Sequence, residues 1–164
     1  MLIVRPATEN DIEAIAHVAG AGWRQAYRGL VSTEAIEDTL GRWYSGETLL
    51  RRLSGPPLDV AGRARTVVGY VQHGTVGDAV HEVYAIYVEP SMLGQGIGWA
   101  LWQQVARDAR DGEKSAIELW VLDGNRLGID WYDRQGGHVV GRREIELADG
   151  AHAELRYRFD LKTG

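Results

Sequence analysis

The run VEPSMLGQGIGWALW, residues 88–102, constrains this chain more than any other stretch: an apolar strand meets Pro90, glycines fall at 94, 96 and 98, and an amphipathic helix begins. Each glycine forfeits more backbone entropy on folding than any other residue, so a cluster of them indicates that bare main chain is needed there. At a strand-to-helix turn the first helical amides lack intrahelical partners and carry roughly half a positive charge, an arrangement suited to a pyrophosphate. Gly94, Gly96 and Gly98 would let that backbone approach phosphate oxygens with no side chain in between.

The two common nucleotide loops fit poorly. A Walker A loop needs Gly-Lys-Ser/Thr, and the only lysines are Lys114 and Lys162. A dinucleotide fingerprint needs G-x-G-x-x-G, whereas GQGIG brings its third glycine one residue early, in the middle of the chain.

Around the loop, local pattern gives the order β-α-α-β-β-β-α-β-α-β-β. LIVRPAT reads as an edge-like strand stopped by Pro6, and Thr8 with Asp11 as a capping-box variant opening a helix that buries Ile12, Ile15 and Val18 or Ala19. Residues 21–53 read as further helix broken by glycines with Ser32 as a cap, and SGPPLDVAGRART as a loop around one short strand. TVVGYVQH and HEVYAIYV flank the turn cluster GTVGD, Ile97, Leu101 and Val105 give the next helix an apolar face, and SAIELWVL is a strand. NRLGIDWYDRQGG is a short helix ending at glycine, and HVVGRREIEL pairs with HAELRYRF around Asp149-Gly150. The expectation is an α/β fold: a mixed sheet with flanking helices and a central parallel β-α-β unit over residues 82–122. One domain is expected over residues 1–164, a strand and helices over 1–57 leading into a core with a terminal hairpin over 58–164.

Charge and composition narrow the partners. The formal net charge is −5 and the arginines are scattered, so no basic stripe points to nucleic acid. The chain has no cysteine, which excludes disulfides, thiolate metal sites and a cysteine nucleophile and is compatible with a reducing compartment. The first residues, MLIVRPATENDIEAI, are acidic where a signal peptide needs an apolar run, and no segment is apolar for long enough to span a bilayer. These features read as a cytoplasmic protein.

EVYAIYVEPSMLGQGIGWALW, followed by LWVLDGNRLGIDWYDRQGG, resembles the acetyl-CoA-binding core of the GNAT superfamily of N-acetyltransferases. That family's loop pattern, Gln/Arg-x-x-Gly-x-Gly/Ala, falls on Leu93, Gly94, Gln95, Gly96, Ile97 and Gly98, and the likeness extends over residues 66–160. Three positions depart from the pattern: Leu93 replaces the Gln/Arg, Gly137 replaces an aromatic core anchor, and Gly128 stands where alanine is common. The resemblance implies a GNAT-like fold, with a mostly antiparallel six- to seven-stranded sheet around that parallel unit, and acetyl-CoA as co-substrate. It implies that pantetheine lies between splayed parallel strands and pairs with amides near Ile86, Tyr87 and Val88. It also implies that Asn125 contacts the pantetheine arm, and that Tyr132 sits where the family's helix tyrosine faces the thioester sulfur.

Acyl transfer to an amine needs a neutral amine, a stabilised oxyanion and a protonated leaving thiolate. At neutral pH only on the order of one lysine amine in 2,500 is neutral, so a carboxylate that takes the proton, directly or through water, is a natural part. Glu82 is the candidate base: it lies eleven residues before Leu93, an offset at which some members of the resembling family carry a glutamate, and strand alternation would put it with Tyr84, Ile86 and Val88 among apolar neighbours. An exposed strand-end glutamate is the plain alternative. Tyr132 is the candidate acid, a phenol of pKa about 10 facing a thiolate of about 8.5. HEVYA lacks the second histidine of a zinc motif, and no metal is expected. Trp23, Tyr27 and Tyr84 are candidate acceptor-binding residues, although large aromatics such as Trp23, Tyr27, Trp43 and Tyr44 are more often core. His81 could assist Glu82; His17, His73, His138 and His152 read as surface residues. The charge-alternating C-terminal hairpin could pair with a second copy in a homodimer. The expected activity is direct acetyl transfer from acetyl-CoA to a primary amine of a small molecule or peptide. The competing reading is a non-catalytic acyl-CoA-binding regulatory module.

Overall fold

Residues 66–76 and 80–88 are dense in β-branched and aromatic side chains, and a turn with Gly77 at φ 64° closes them into an antiparallel hairpin, β3 (Thr66–Val76) and β4 (Val80–Val88). The computed structural model describes residues 1–162. Before this hairpin come β1 (Leu2–Pro6), α1 (Ile12–Tyr27), α2 (Thr33–Trp43), α3 (Gly46–Arg52) and β2 (Leu58–Arg63). After it come α4 (Ile97–Asp111), β5 (Ala116–Leu122), α5 (Arg126–Arg134), β6 (His138–Leu147) and β7 (Gly150–Asp160). The strands form a seven-stranded sheet in the order β1-β2-β3-β4-β5-β7-β6, with β4 and β5 parallel and the other neighbouring pairs antiparallel.

Local capping agrees with the residues that announce it. The Asp11 carboxylate accepts the Thr8 amide at 2.8 Å and a two-pronged contact from Arg5 at 2.7 and 2.9 Å. Ser32 accepts the Ala35 amide at 3.1 Å and starts α2, and Ser45 accepts the Thr48 amide at 3.2 Å and starts α3.

Each face of the sheet buries one apolar layer. α1, α2 and α3 cover one face with Ile15, Val18, Ala19, Ile36 and Leu49 packed on Val60 and Tyr70. On the other face α4 and α5 bury Ile97, Leu101, Val105 and Ile129 against Val71, Ile117 and Leu119. The segment expected to be a loop around one short strand carries that strand as β2, placed inside the sheet between β1 and β3 with Leu58 to Ala61 buried. Its Pro- and Gly-rich flanks hide this, because inner-strand pairing depends on residues far along the chain. The aromatic anchor missing at Gly137 is supplied by another strand: a Cβ there would lie 2.6 Å from the Phe159 ring, which fills the space from β7.

Candidate active site

β4 and β5 pair only over Val80–Val83 with Ala116–Leu119 and diverge beyond, opening the sheet. The loop from Leu93 to Gly96 turns back at the mouth of this gap with Gly94 at φ 80° and Gly96 at φ 81°, backbone that an L side chain adopts only at a cost. Ala100 donates the first helical hydrogen bond to the Gly96 carbonyl, so the amides of Ile97, Gly98 and Trp99 stand in the unpaired first turn of α4. A cavity of about 440 Å³ runs from that helix end into the gap, walled by Leu93, Gly94, Gly96, Ile97 and Gly98 on one side and by Ile86, Tyr87 and Val88 along β4. Gln95 does not join this wall; its side chain accepts a 2.7 Å bond from Arg63.

Asn125 and Tyr132 line the same cavity from α5. The Asn125 side-chain oxygen accepts the Gly128 amide at 3.1 Å and caps the helix, and Gly128 makes room for it: a Cβ would stand 2.9 Å from the Asn125 amide nitrogen. The Tyr132 ring packs edge-on against Trp131 and Phe159. Burial raises the Tyr132 ionisation well above the ordinary phenol value, so its hydroxyl remains a proton-carrying donor.

A second cavity of about 340 Å³ opens on the α1 face, lined by Trp23, Trp43, Tyr44, Trp120 and Glu154 among others. Tyr27, Tyr84, Ala85, Tyr87 and Trp120 line both cavities, so the two meet where β4 leaves β5. The structure therefore brings Trp23, Tyr27 and Tyr84 together around one space. Its walls are largely aromatic, with Trp23 edge-on to Tyr27 and to Trp43 at 4.6 and 5.6 Å between ring centres, and Arg52 and Gln72 also line it. The Trp23 indole N–H is buried with no partner among the described residues. Glu154 is the carboxylate of this wall and takes a 2.8 Å contact from Arg143. Burial, with a smaller contribution from Glu154, pushes the Tyr27 phenol up to about 12.

Glu82 departs from its expected surroundings. Gln72 pairs with Ala85 and His73 with Val83, which leaves Tyr84 as the extra residue of a β-bulge. The bulge reverses alternation along β4: Val83 packs on the α4 side, and Ala85 and Tyr87 on the α1 side, before Ile86 and Val88 return to the α4 side. Glu82, next to Val83, accordingly faces away from Ile86 and Val88. Its carboxylate is ion-paired to Arg156 at 2.8 Å, and it lines neither cavity. Arg156 also binds Glu118 at 2.6 Å, and Arg158 takes the other oxygen of Glu118 at 2.8 Å.

Two histidine expectations are corrected as well. His81 lies on the face opposite Glu82 and cannot assist it; burial and His73 hold its pKa down to about 4. His73 is not a surface residue but fully buried, between His81 and Asp59. His152 is bonded to Asp149 at 2.7 Å, while His17 and His138 are exposed.

Sequence reasoning missed Trp120, Glu154 and Arg156. The signal was the alternation in HAELRYRF, where Glu154, Arg156 and Arg158 share one face of β7 and stand opposite Leu122, Trp120 and Glu118 of β5. A half-exposed hairpin explains that alternation equally well until the neighbouring strand is known.

The sequence profile of the acetyltransferase (GNAT) family matches residues 17–137. The spermidine N(1)-acetyltransferase of Thermoplasma acidophilum is 25% identical over 163 residues, covering 96% of this chain and 97% of that protein. A thialysine N-epsilon-acetyltransferase of Bos taurus is 36% identical over 75 residues, covering 46% of this chain and 39% of that protein. The crystal structure of the PaiA N-acetyltransferase from Thermoplasma acidophilum in complex with coenzyme A superposes with a TM-score of 0.81 at 20% identity, covering 98% of this chain and 99% of the other.

Proposed function

We propose that this chain, which belongs to the acetyltransferase (GNAT) family, moves an acetyl group from acetyl-CoA directly to a primary amine of a small cationic molecule, a linear polyamine first among them. One observation carries this reading: the loop-side and aromatic cavities share Tyr27, Tyr84, Ala85, Tyr87 and Trp120, so thioester and amine would enter from opposite faces and meet at the β4 bulge. Coenzyme diphosphate would rest on the main chain from Gly94 to Gly98, and pantetheine would follow Ile86, Tyr87 and Val88 past Asn125. The relative of the same fold solved in complex with coenzyme A supports that choice of ligand.

In the reaction the amine nitrogen bonds to the thioester carbonyl carbon and the carbon–sulfur bond breaks. Tyr132 donates its hydroxyl proton toward the departing thiolate, and the proton released by the amine passes to water. Because Glu82 lines neither cavity, it serves as the end of that water relay and not as the group touching the amine. Aromatic faces attract cations, which favours an ammonium-bearing acceptor; Glu154, already paired with Arg143, would share its charge with that ammonium in a wall that also carries Arg52. The polyamine named for one relative fits that chemistry.

The test is coenzyme-thiol release from acetyl-CoA across a panel of polyamines, lysine peptides, peptide N-termini and amino sugars. Polyamines should turn over fastest, with Glu154→Gln raising their KM several-fold. Coenzyme binding without turnover of any amine would instead support the regulatory module, and absence of coenzyme binding would sink both readings.

A further inference from the structure

On the face of the sheet away from the aromatic cavity, three side chains from distant parts of the chain converge beneath α4. His73 on β3 is fully buried and Asp59 on β2 nearly so, while Asp108 on the last turns of α4 keeps a side chain 36% exposed. The His73 Nε2 lies 2.7 Å from Asp59 Oδ2 and 3.8 Å from Asp108 Oδ2, and the three ligand atoms all fall within 4.8 Å of one another. Both carboxylates thus aim at one imidazole nitrogen, which carries at most one proton and can bond only one of them well. Among the described residues, His73 is the ion-pair partner of both. The nearby Lys114 ammonium is turned to the carbonyls of Gly77 and Asp78.

The surroundings orient these ligands. His73 Nδ1 bonds His81 Nε2 at 2.8 Å, which directs Nε2 toward the carboxylates. Gln104 donates to Asp108 Oδ1 at 3.0 Å and leaves Oδ2 for the cluster. An imidazole whose second nitrogen is tied, next to a carboxylate whose second oxygen is tied, is the outer shell that metal ligands ordinarily receive.

We propose that Asp59, His73 and Asp108 form a site for one divalent cation of the zinc class, with water from the exposed Asp108 side completing a tetrahedron. One nitrogen and two carboxylate oxygens suit zinc at about 2.0–2.2 Å each. Ligand atoms would then sit roughly 3.3 Å apart, so the Asp59–His73 contact widens by about 0.6 Å. The bound cation joins β2 and β3 to α4.

Calorimetric titration of chelator-treated protein with zinc chloride reads affinity and stoichiometry. One zinc per chain is expected, together with a zinc-dependent rise in the thermal midpoint. Asp108→Asn, made at a partly exposed helix position, should weaken binding at least tenfold, whereas His152→Ala at the separate His152–Asp149 pair should leave it unchanged. Cobalt(II) should give the visible absorption of a low-coordinate site in the parent chain and not in Asp108→Asn. Absence of stoichiometric zinc binding, or equal binding by Asp108→Asn, overturns the proposal.

Discussion

The hydroxyls of Tyr27 on α1 and Tyr87 on β4 are hydrogen-bonded to each other at 2.8 Å, at the junction of the two cavities. Burial raises the ionisation of both phenols, so the pair stays neutral, and it ties the acceptor-side helix to the strand beside the bulge. Removing either hydroxyl leaves the other without its partner, at a cost of about 1–3 kcal/mol. Removing both should cost less than the sum of the single changes. Chemical unfolding of Tyr27→Phe, Tyr87→Phe and the double variant measures this coupling; strict additivity would show that the bond contributes nothing.

Tyr132→Phe keeps the ring packing and removes only the proton carried to sulfur. Its kcat should fall on the order of a hundredfold, with acetyl-CoA affinity within a few-fold of the parent. Because the folded-state ionisation lies above the ordinary phenol value, the group remains protonated through about pH 10 and activity should show no alkaline loss from it below that point. A pH–rate profile of both proteins checks the assignment, and an unchanged kcat would remove Tyr132 from the chemistry.

Gly96 and Gly98 should separate backbone strain from occupation of the diphosphate cradle. Gly96 sits at φ 81°, so Gly96→Ala should destabilise the fold by about 1–2 kcal/mol and weaken coenzyme binding. Gly98 is helical, a Cβ there meets only Val88 at 3.8 Å, and the family pattern accepts alanine at this position, so Gly98→Ala should stabilise by up to about 1 kcal/mol and leave coenzyme binding within a few-fold of the parent. Thermal midpoints and coenzyme titrations on both variants give the answer; coenzyme binding by Gly96→Ala as tight as the parent's would place the diphosphate elsewhere.

Asp11 ties acid stability to the first strand. The hydrogen bond from Arg5 holds its carboxyl below the ordinary carboxylate value. A carboxyl lowered on folding contributes stability that is complete above its unfolded pKa, about 3.9, and lost as pH falls through the lower folded value. Asp11→Asn should therefore destabilise at neutral pH by about 1–3 kcal/mol and lose part of the acid-dependent slope below about pH 4. Urea unfolding at pH 7 and pH 3 measures the difference, and identical slopes would discount the pair.

Local chemistry alone sufficed for the caps at Thr8 and Ser32, for the glycine loop, and for the order of strands and helices, because each depends on residues within one or two turns of each other. The exception in that order is the second expected helix, which is two, α2 and α3. The likeness to a family then carried the fold, while the parallel strand pair already followed from the strand–helix–strand order. Which face Glu82 occupies was not legible: one unpaired residue, Tyr84, reverses the alternation, and that bulge exists only through pairing with β3. The placement of Glu154 and Arg156 on the cavity side likewise depends on β7 lying against β5, 38 residues from Glu118 to Arg156 along the chain. Asp59, His73 and Asp108 converge from three elements with no shared spacing motif. Periodicity reports which side chains share a face within an element. Only the register between elements, set by packing of the whole sheet, decides which faces meet.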